Sequence, residues 1–222
     1  MSFPEHPETI VVKNSFYPRG LREKDVYSYY IKMKTKILPL VEGRNVMIFF
    51  AVNENDFVIQ RKGKFLTSQN YEETITGRSV SLHTEMKSKE EFGIIDIDSE
   101  DFNEAKKAVL DVYKFLSKVS MIKKIEIRFT GKTSFHVIVY FGKELNIDTI
   151  RTVLLKLLSV SDLSNKYDVG FRRSPGRINL DLSPNKIRGN SIVLNSLSIL
   201  GLRCMGVPIS KLSTFKKEDA KL

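Results

Sequence analysis

The chain has 222 residues, 41% hydrophobic and 28% charged, enough apolar content to bury a core in one domain or in two closely packed lobes. Lys and Arg number 36 against 26 Asp and Glu, giving a net charge of +10 and a pI near 9.5, a surplus that suits a polyanionic partner, nucleic acid above all. One cysteine, Cys204, excludes an internal disulfide and a Cys-rich zinc site, and three histidines, His6, His83 and His136, are too few for a centre built from imidazole alone. No apolar stretch is long enough to span a bilayer, and the polar, proline-bearing opening does not read as a signal peptide. A cytoplasmic protein without a membrane partner is expected.

In chain order, the spacing of Val26, Tyr30, Met33 and Ile37 predicts a helix over 22–38, with Pro39 just past its end. The run 46–52 reads as a buried strand, the turn Asn53-Glu54-Asn55-Asp56 follows, and 57–60 returns as its partner. Residues 61–78 are polar, carry Gly63 and Gly77, and read as surface. The apolar run Phe92–Ile95 leads as a strand into Asp96-Ile97-Asp98, and Phe102, Ala105, Val109, Val112, Leu116 and Val119 recur at helical spacing over 100–119. Strands are expected at 125–129 and 135–141, joined by the polar turn 130–134, then a helix at 147–158 through Ile150, Val153, Leu154 and Leu157. Residues 177–182 alternate as a strand with Asp181 opposite in phase to its apolar neighbours. The lysine-rich end, 211–222, reads as a flexible tail. The pattern is α+β, with antiparallel or mixed sheets flanked by helices in a single catalytic-size domain.

Asp96 and Asp98 carry the strongest chemical signal. Side chains two apart on a strand share a face, so two carboxylates emerge together where the strand ends. Like charges so close are costly unless a cation lies between them, and an all-oxygen donor set favours Mg²⁺ or Mn²⁺ over zinc. The competing reading is that these acids, with Ser99-Glu100-Asp101 behind them, merely cap the next helix. Asp181 on a later strand would complete a cage for two dications. Three carboxylates against two dications leave a charge of +1, which suits a triphosphate, and two-ion sites serve phosphoryl transfer. Taken alone, Asp181 reads as an ordinary exposed strand residue.

Thr130-Gly131-Lys132-Thr133-Ser134-Phe135-His136 gathers amides, hydroxyls, a lysine and a histidine. Glycine-bearing turns present N–H groups to anions, and Lys132 adds a point charge. The Gly-Lys-Thr string is not a P-loop: the first glycine of that motif is missing and a strand follows instead of a helix. An ordinary hairpin is the alternative. His136 is expected to face the cleft, since Phe135 and Val137 should face the core.

In this order, the D-x-D, the Gly-turn-His and the lone later acid resemble the archaeo-eukaryotic primase superfamily. The nearest likeness is to the polymerase domain of bacterial ligase D and its stand-alone archaeal end-joining relatives. Asn14–Leu21, Asp25–Tyr30 and Leu38–Arg44 resemble that family's opening, Ser81-Leu82-His83 resembles its Leu-His segment, and Asp181 to Ser198 follows it without a gap. The likeness spans about residues 11–210. It departs where Thr133 stands at the family's turn lysine, where Ser198 stands near an expected arginine for which Arg203 substitutes, and where Asn14, beside Lys13, stands at an early phosphate-binding lysine.

The resemblance implies metal-dependent nucleotidyl transfer onto a 3′-hydroxyl: extension or filling of DNA ends from a template with nucleoside triphosphates. It assigns Mg²⁺ or Mn²⁺, as a two-ion site, to Asp96, Asp98 and Asp181. It assigns triphosphate or sugar contacts to His83, Thr130 and His136, with Lys132, Thr133 and Ser134 supplying the turn's contacts and Arg203 a substitute cation. Ku-like proteins and a DNA ligase are the implied partners. A basic strip is expected from Arg19, Arg22 and Lys24 and from Arg172, Arg173, Lys186 and Arg188 to hold DNA, with Phe57 as a base-stacking candidate whose other reading is core packing. One rival reading is a primase that starts chains de novo, though no zinc module or helical accessory domain is visible. Another, non-enzymatic, is a nucleic-acid-binding module with an inactive site, against which all three carboxylates stand.

Overall fold

The computed structural model describes residues 21–51, 57–62, 65–170 and 174–222, with the backbone alone for residues 57, 58 and 60–62. Two compact units emerge, each built from separated stretches of chain. One takes the N-terminal part to Glu85 together with Ile192–Met205 and Lys217–Leu222; the other takes Met86–Ser191 and Gly206–Lys216.

The first unit holds helix α1 (Glu23–Val41), strands β1 (Val46–Ala51) and β2 (Phe57–Lys62), the one-turn helix α2 (Tyr71–Thr74) and strand β3 (Ser79–Glu85). Its sheet runs β2-β1-β3-β9, where β9 is Asn190–Ile192. Helix α1 continues three residues beyond the expected end and takes Pro39 inside its last turn. There the proline forfeits one backbone bond, while the extra turn buries Val41 completely. Tyr30 anchors the helix. Its hydroxyl donates to the Val80 carbonyl at 3.2 Å, lies 3.1 Å from Ser196 Oγ, and accepts from the Leu197 N–H at 3.0 Å. Burial pushes the Tyr30 pKa up, so the phenol stays protonated and able to donate. Residues 61–78 are not merely surface: Leu66, Tyr71 and Ile75 enter this core, and the Tyr71 hydroxyl donates to the Tyr30 carbonyl. A single helical turn has no periodicity to betray it, which is why the stretch reads as polar loop.

The second unit holds β4 (Lys89–Asp98), α3 (Phe102–Leu116), β5 (Lys124–Phe129), β6 (Phe135–Asn146), α4 (Ile147–Ser159), α5 (Leu163–Lys166), β7 (Asp168–Val169) and β8 (Asn179–Asp181). With β10 (Met205–Gly206) they form a six-stranded sheet in the order β10-β5-β6-β4-β8-β7, in which β5, β6, β4 and β8 pair antiparallel and β7 runs parallel to β8. Both long helices cover one face. Phe102 at the start of α3 packs on Phe129 and Phe135. A Cβ on Gly93 would lie 2.5 Å from Ile150 and 2.8 Å from Leu154 of α4, so only glycine admits α4 this close to β4. Gly93, Ile95 and Ile97 therefore point to the helices, and Asp96 and Asp98 point to the opposite face.

Residues 211–222, expected as a tail, instead carry structure. Leu212 is fully buried, Phe215 joins the rings of Phe102, Phe129 and Phe135, and a 3₁₀ turn at Lys217–Ala220 buries Ala220.

One buried side chain sets the position of the loop behind β8. Asn185 accepts from the Ile94 N–H at 2.7 Å and donates to the Ile94 carbonyl at 2.5 Å and the Leu182 carbonyl at 3.2 Å. Its amide thus imitates a strand residue and extends the pairing of β4 beyond Asp181. Asn185→Ala leaves two buried backbone groups of β4 without partners, and a loss of about 2–4 kcal/mol is expected. For a chain of this size that is a fall of about 4–16 °C in Tm, checked by thermal unfolding; an unchanged Tm would contradict the role given to Asn185.

Candidate functional site

The register of the second sheet lines up polar residues from four adjacent strands. Arg128 on β5 stands opposite His136 on β6, His136 opposite Asp96 on β4, and Asp96 opposite Asp181 on β8. All four lie on the face away from α3 and α4. One step further along the strands, Asp98 stands opposite Asn179 on β8, and Asn179 beside Asp168 on β7. Between these rows runs an apolar one, Phe129, Phe135, Ile97 and Leu180, each fully buried and pointing to the other face. The alternation that hides the apolar set brings the acids together.

The helix cap after β4 is Asp101, which accepts from the N–H groups of Asn103 at 2.7 Å and Glu104 at 2.9 Å. Asp96 and Asp98 remain within the strand, so neither caps α3. His136 Nε2 lies 3.6 Å from Asp96 Oδ1, with the imidazole only 6% exposed and the carboxylate 29%. Asp181, also buried, accepts from the Ser183 N–H at 2.7 Å and the Ser183 hydroxyl at 2.8 Å. Asp98 is exposed, and Ser134 Oγ donates to it at 3.3 Å. Among the described residues, no three His, Cys, Asp or Glu side chains gather closely enough to hold an ion as they stand. Asp98 takes the Ser134 hydroxyl, and Asp181 takes the Ser183 N–H and hydroxyl in a local turn. In kind, the set of three carboxylates on one face fits Mg²⁺ or Mn²⁺ and no softer ion.

The turn Thr130–Ser134 closes the β5–β6 hairpin. Thr130 donates to the Ser134 carbonyl through both its N–H and its hydroxyl, and Gly131 adopts φ +94°, a backbone setting that side chains resist. Lys132, Thr133 and Ser134 line a cleft of about 930 Å³ together with Asp98 and Asn179, with Lys166 and Arg177 on its rim. Sequence reading passed over Lys166, Arg177, Asp168 and Asn179. Lys166 pairs with Asp111 at 3.0 Å, and Arg177 Nε lies 3.3 Å from the buried Asp168 carboxylate. The only sequence signal for Asn179 is its phase, two residues before Asp181 on one short strand.

The remaining candidates belong to other stretches of chain. His83 and Arg203 belong to the other unit. Arg203 donates to the carbonyls of Asp219 at 2.9 Å and Ala220 at 3.4 Å, closing the last 3₁₀ turn. Arg22 grips Asp25 at 2.9 Å at the start of α1, and Lys24 is exposed beside it. Lys186 and Arg188 are exposed in the loop after β8, Arg188 at φ +62°. Arg19, Arg172 and Arg173, together with the Phe57 side chain, lie outside the described residues. No helix among the described residues is long and apolar enough to cross a membrane.

No family model matches the sequence, and no curated protein does. A solved structure does: the polymerase domain of Mycobacterium tuberculosis ligase D, in complex with DNA, superposes with a TM-score of 0.73 over 95% of this chain and 92% of that one, at 10% identity. The chain shares the fold of that polymerase domain. The expected α+β class, with two sheets flanked by helices, is therefore observed.

His83 makes one further property testable. It lies against the Phe49 ring at 4.8 Å with Nε2 3.0 Å from Ser81 Oγ, and burial pushes its pKa down to about 4. The folded chain thus keeps this imidazole neutral while the unfolded chain binds a proton below about pH 6.5. Its contribution to stability is complete above pH 6.5 and is lost as pH falls toward 4. Measured by urea unfolding, the stability of His83→Leu relative to the parent should be constant above pH 6.5 and rise in the variant's favour between pH 6.5 and 4. A pH-independent difference would show that His83 is not held neutral.

Proposed function

We propose that this protein is a metal-dependent nucleotidyltransferase that extends or fills DNA ends from a template with nucleoside triphosphates. The observation that carries the reading is the placement of Asp96, Asp98 and Asp181 on the helix-free face of one sheet, beside a glycine turn bearing Lys132. The fold is that of a polymerase domain whose structure was solved with DNA. Asp96, Asp98 and Asp181 would hold Mg²⁺ or Mn²⁺, which when bound screens the triphosphate and acidifies the attacking 3′-hydroxyl.

The chain's own residues prepare that chemistry. Ser183 fixes the Asp181 carboxylate through two hydrogen bonds, and His136 flanks Asp96 from the neighbouring strand. A carboxylate held in one orientation loses less entropy on meeting a cation. Lys132 supplies a mobile positive charge at the cleft edge for a triphosphate tail, and the Thr133 and Ser134 hydroxyls offer further donors there. Lys186 and Arg188, exposed shortly after Asp181 in the chain, would meet a nucleic-acid backbone.

Two outcomes are expected. Asp98→Ala should lose primer extension with Mn²⁺ and labelled nucleotides while keeping the parent's Tm, because Asp98 is an exposed strand end. Synthesis at the parent rate would end the proposal, and the same assay without primer separates extension from de novo initiation. Lys186→Ala with Arg188→Ala should weaken binding to single-stranded DNA and make the slope of log affinity against log salt shallower by about 0.7 per lost contact. A slope identical to the parent's would remove this loop from the DNA-binding surface.

A further inference from the structure

Asn179 is unexplained by everything described so far. It is 5% exposed, and neither its Oδ1 nor its Nδ2 has a hydrogen-bond partner among the described residues. A buried amide with both groups unmet is a cost to the folded state, and an apolar residue of similar shape would remove it. Such a cost is expected where a polar group is held for a state other than the one at rest.

Its place in the sheet limits what it can reach. Asn179 is the cross-strand partner of Asp98 on one side and the parallel neighbour of Asp168 on the other. Directly paired residues of an antiparallel ladder have Cβ atoms about 5 Å apart, within reach of two short polar side chains. Asp168 is already held, by the Ser174 N–H and by Arg177. Asp98 is exposed, and its bond from Ser134 Oγ is long at 3.3 Å. Both Asp98 and Asn179 line the same cleft. A primary amide also has the two functions such a site calls for: an N–H donor for a carboxylate and a carbonyl that a neighbouring water or hydroxyl can bond.

We infer that Asn179 is a positioning residue for Asp98, its amide holding the carboxylate in the orientation that receives a divalent cation. This rests on the reading of Asp98 as an ion ligand. In this structure the Asp98 carboxylate accepts from Ser134 Oγ at 3.3 Å, and the Asn179 amide has no hydrogen-bond partner among the described residues. With a divalent cation in place, the carboxylate turns from Ser134 and takes the Asn179 N–H across the strand pair. Carboxylate ligands generally need such an outer hydrogen bond, and its removal commonly weakens metal affinity 10–100-fold.

The test uses the full chain and Mn²⁺ alone, with free Mn²⁺ read by electron paramagnetic resonance and Tm measured without metal. The variants are Asn179→Leu, close in shape and apolar, Asn179→Ala as a smaller alternative, and Asp98→Ala. The expected result is a 10–100-fold weaker Mn²⁺ affinity in Asn179→Leu with a Tm equal to or above the parent's. A purely structural asparagine would not separate the two readouts in that way. Affinity within threefold of the parent in both Asn179 variants, while Asp98→Ala has lost it, overturns the inference and leaves the reading of Asp98 standing. An Asp98→Ala protein that binds Mn²⁺ like the parent overturns both. Loss of affinity that follows a loss of Tm in both Asn179 variants assigns the residue to folding and overturns the inference as well.

Discussion

The second unit is organised around an electrostatic liability. Strand alternation and the β6-β4-β8 register place Asp96 opposite Asp181 and put Asp98 one pleat away on the same face. Nothing in folding favours bringing three carboxylates together; their repulsion opposes it. The sheet tolerates the arrangement because its other face supplies what stability requires, with Ile95, Ile97, Phe135 and Leu180 buried completely under two amphipathic helices. Serine hydroxyls then take up the acids individually, Ser134 at Asp98 and Ser183 at Asp181. The helix side of each strand is built for packing and the open side for charge.

The surroundings of the acids repeat that division. Asn185 ties the loop after β8 to the middle of β4, so the short strand bearing Asp181 is held from both ends of its turn. Arg177 and the Ser174 N–H secure Asp168 on the outermost strand. These bonds fix backbone first, and the side chains on the open face inherit their places from it.

Much of this was legible from residue order, because period and phase are local. The strands around 94–98, 125–129 and 135–141, the two long helices and the phase of Asp181 all follow from which neighbours are apolar. The distinction between a cap and a pair of strand acids needed the structure, since Asp96, Asp98 and Asp101 are chemically equivalent in a string and only hydrogen bonds identify Asp101 as the cap. Asn185 was not legible, for its partner Ile94 is 91 residues distant and an asparagine after Ser-Pro reads as turn. Asn179 was hidden for a different reason: an asparagine in a strand looks neutral until its burial and its lack of a partner are known. The buried Tyr71 and Ile75 were masked by the polar residues around a helix too short to show a period.

The way the chain threads between its units bears on how it is made. The four-ring cluster of Phe102, Phe129, Phe135 and Phe215 supports both ends of the turn that presents Lys132, and its last ring arrives 80 residues after the third. The first unit likewise waits for Ser196 and Leu197 to meet Tyr30, and for Ala220 to meet Arg203. Neither unit is a contiguous cassette that could be cut out, because each is built from separated stretches of chain. Neither core closes until the chain has been made past Phe215 and Ala220, and until then the open strands are a chaperone's concern.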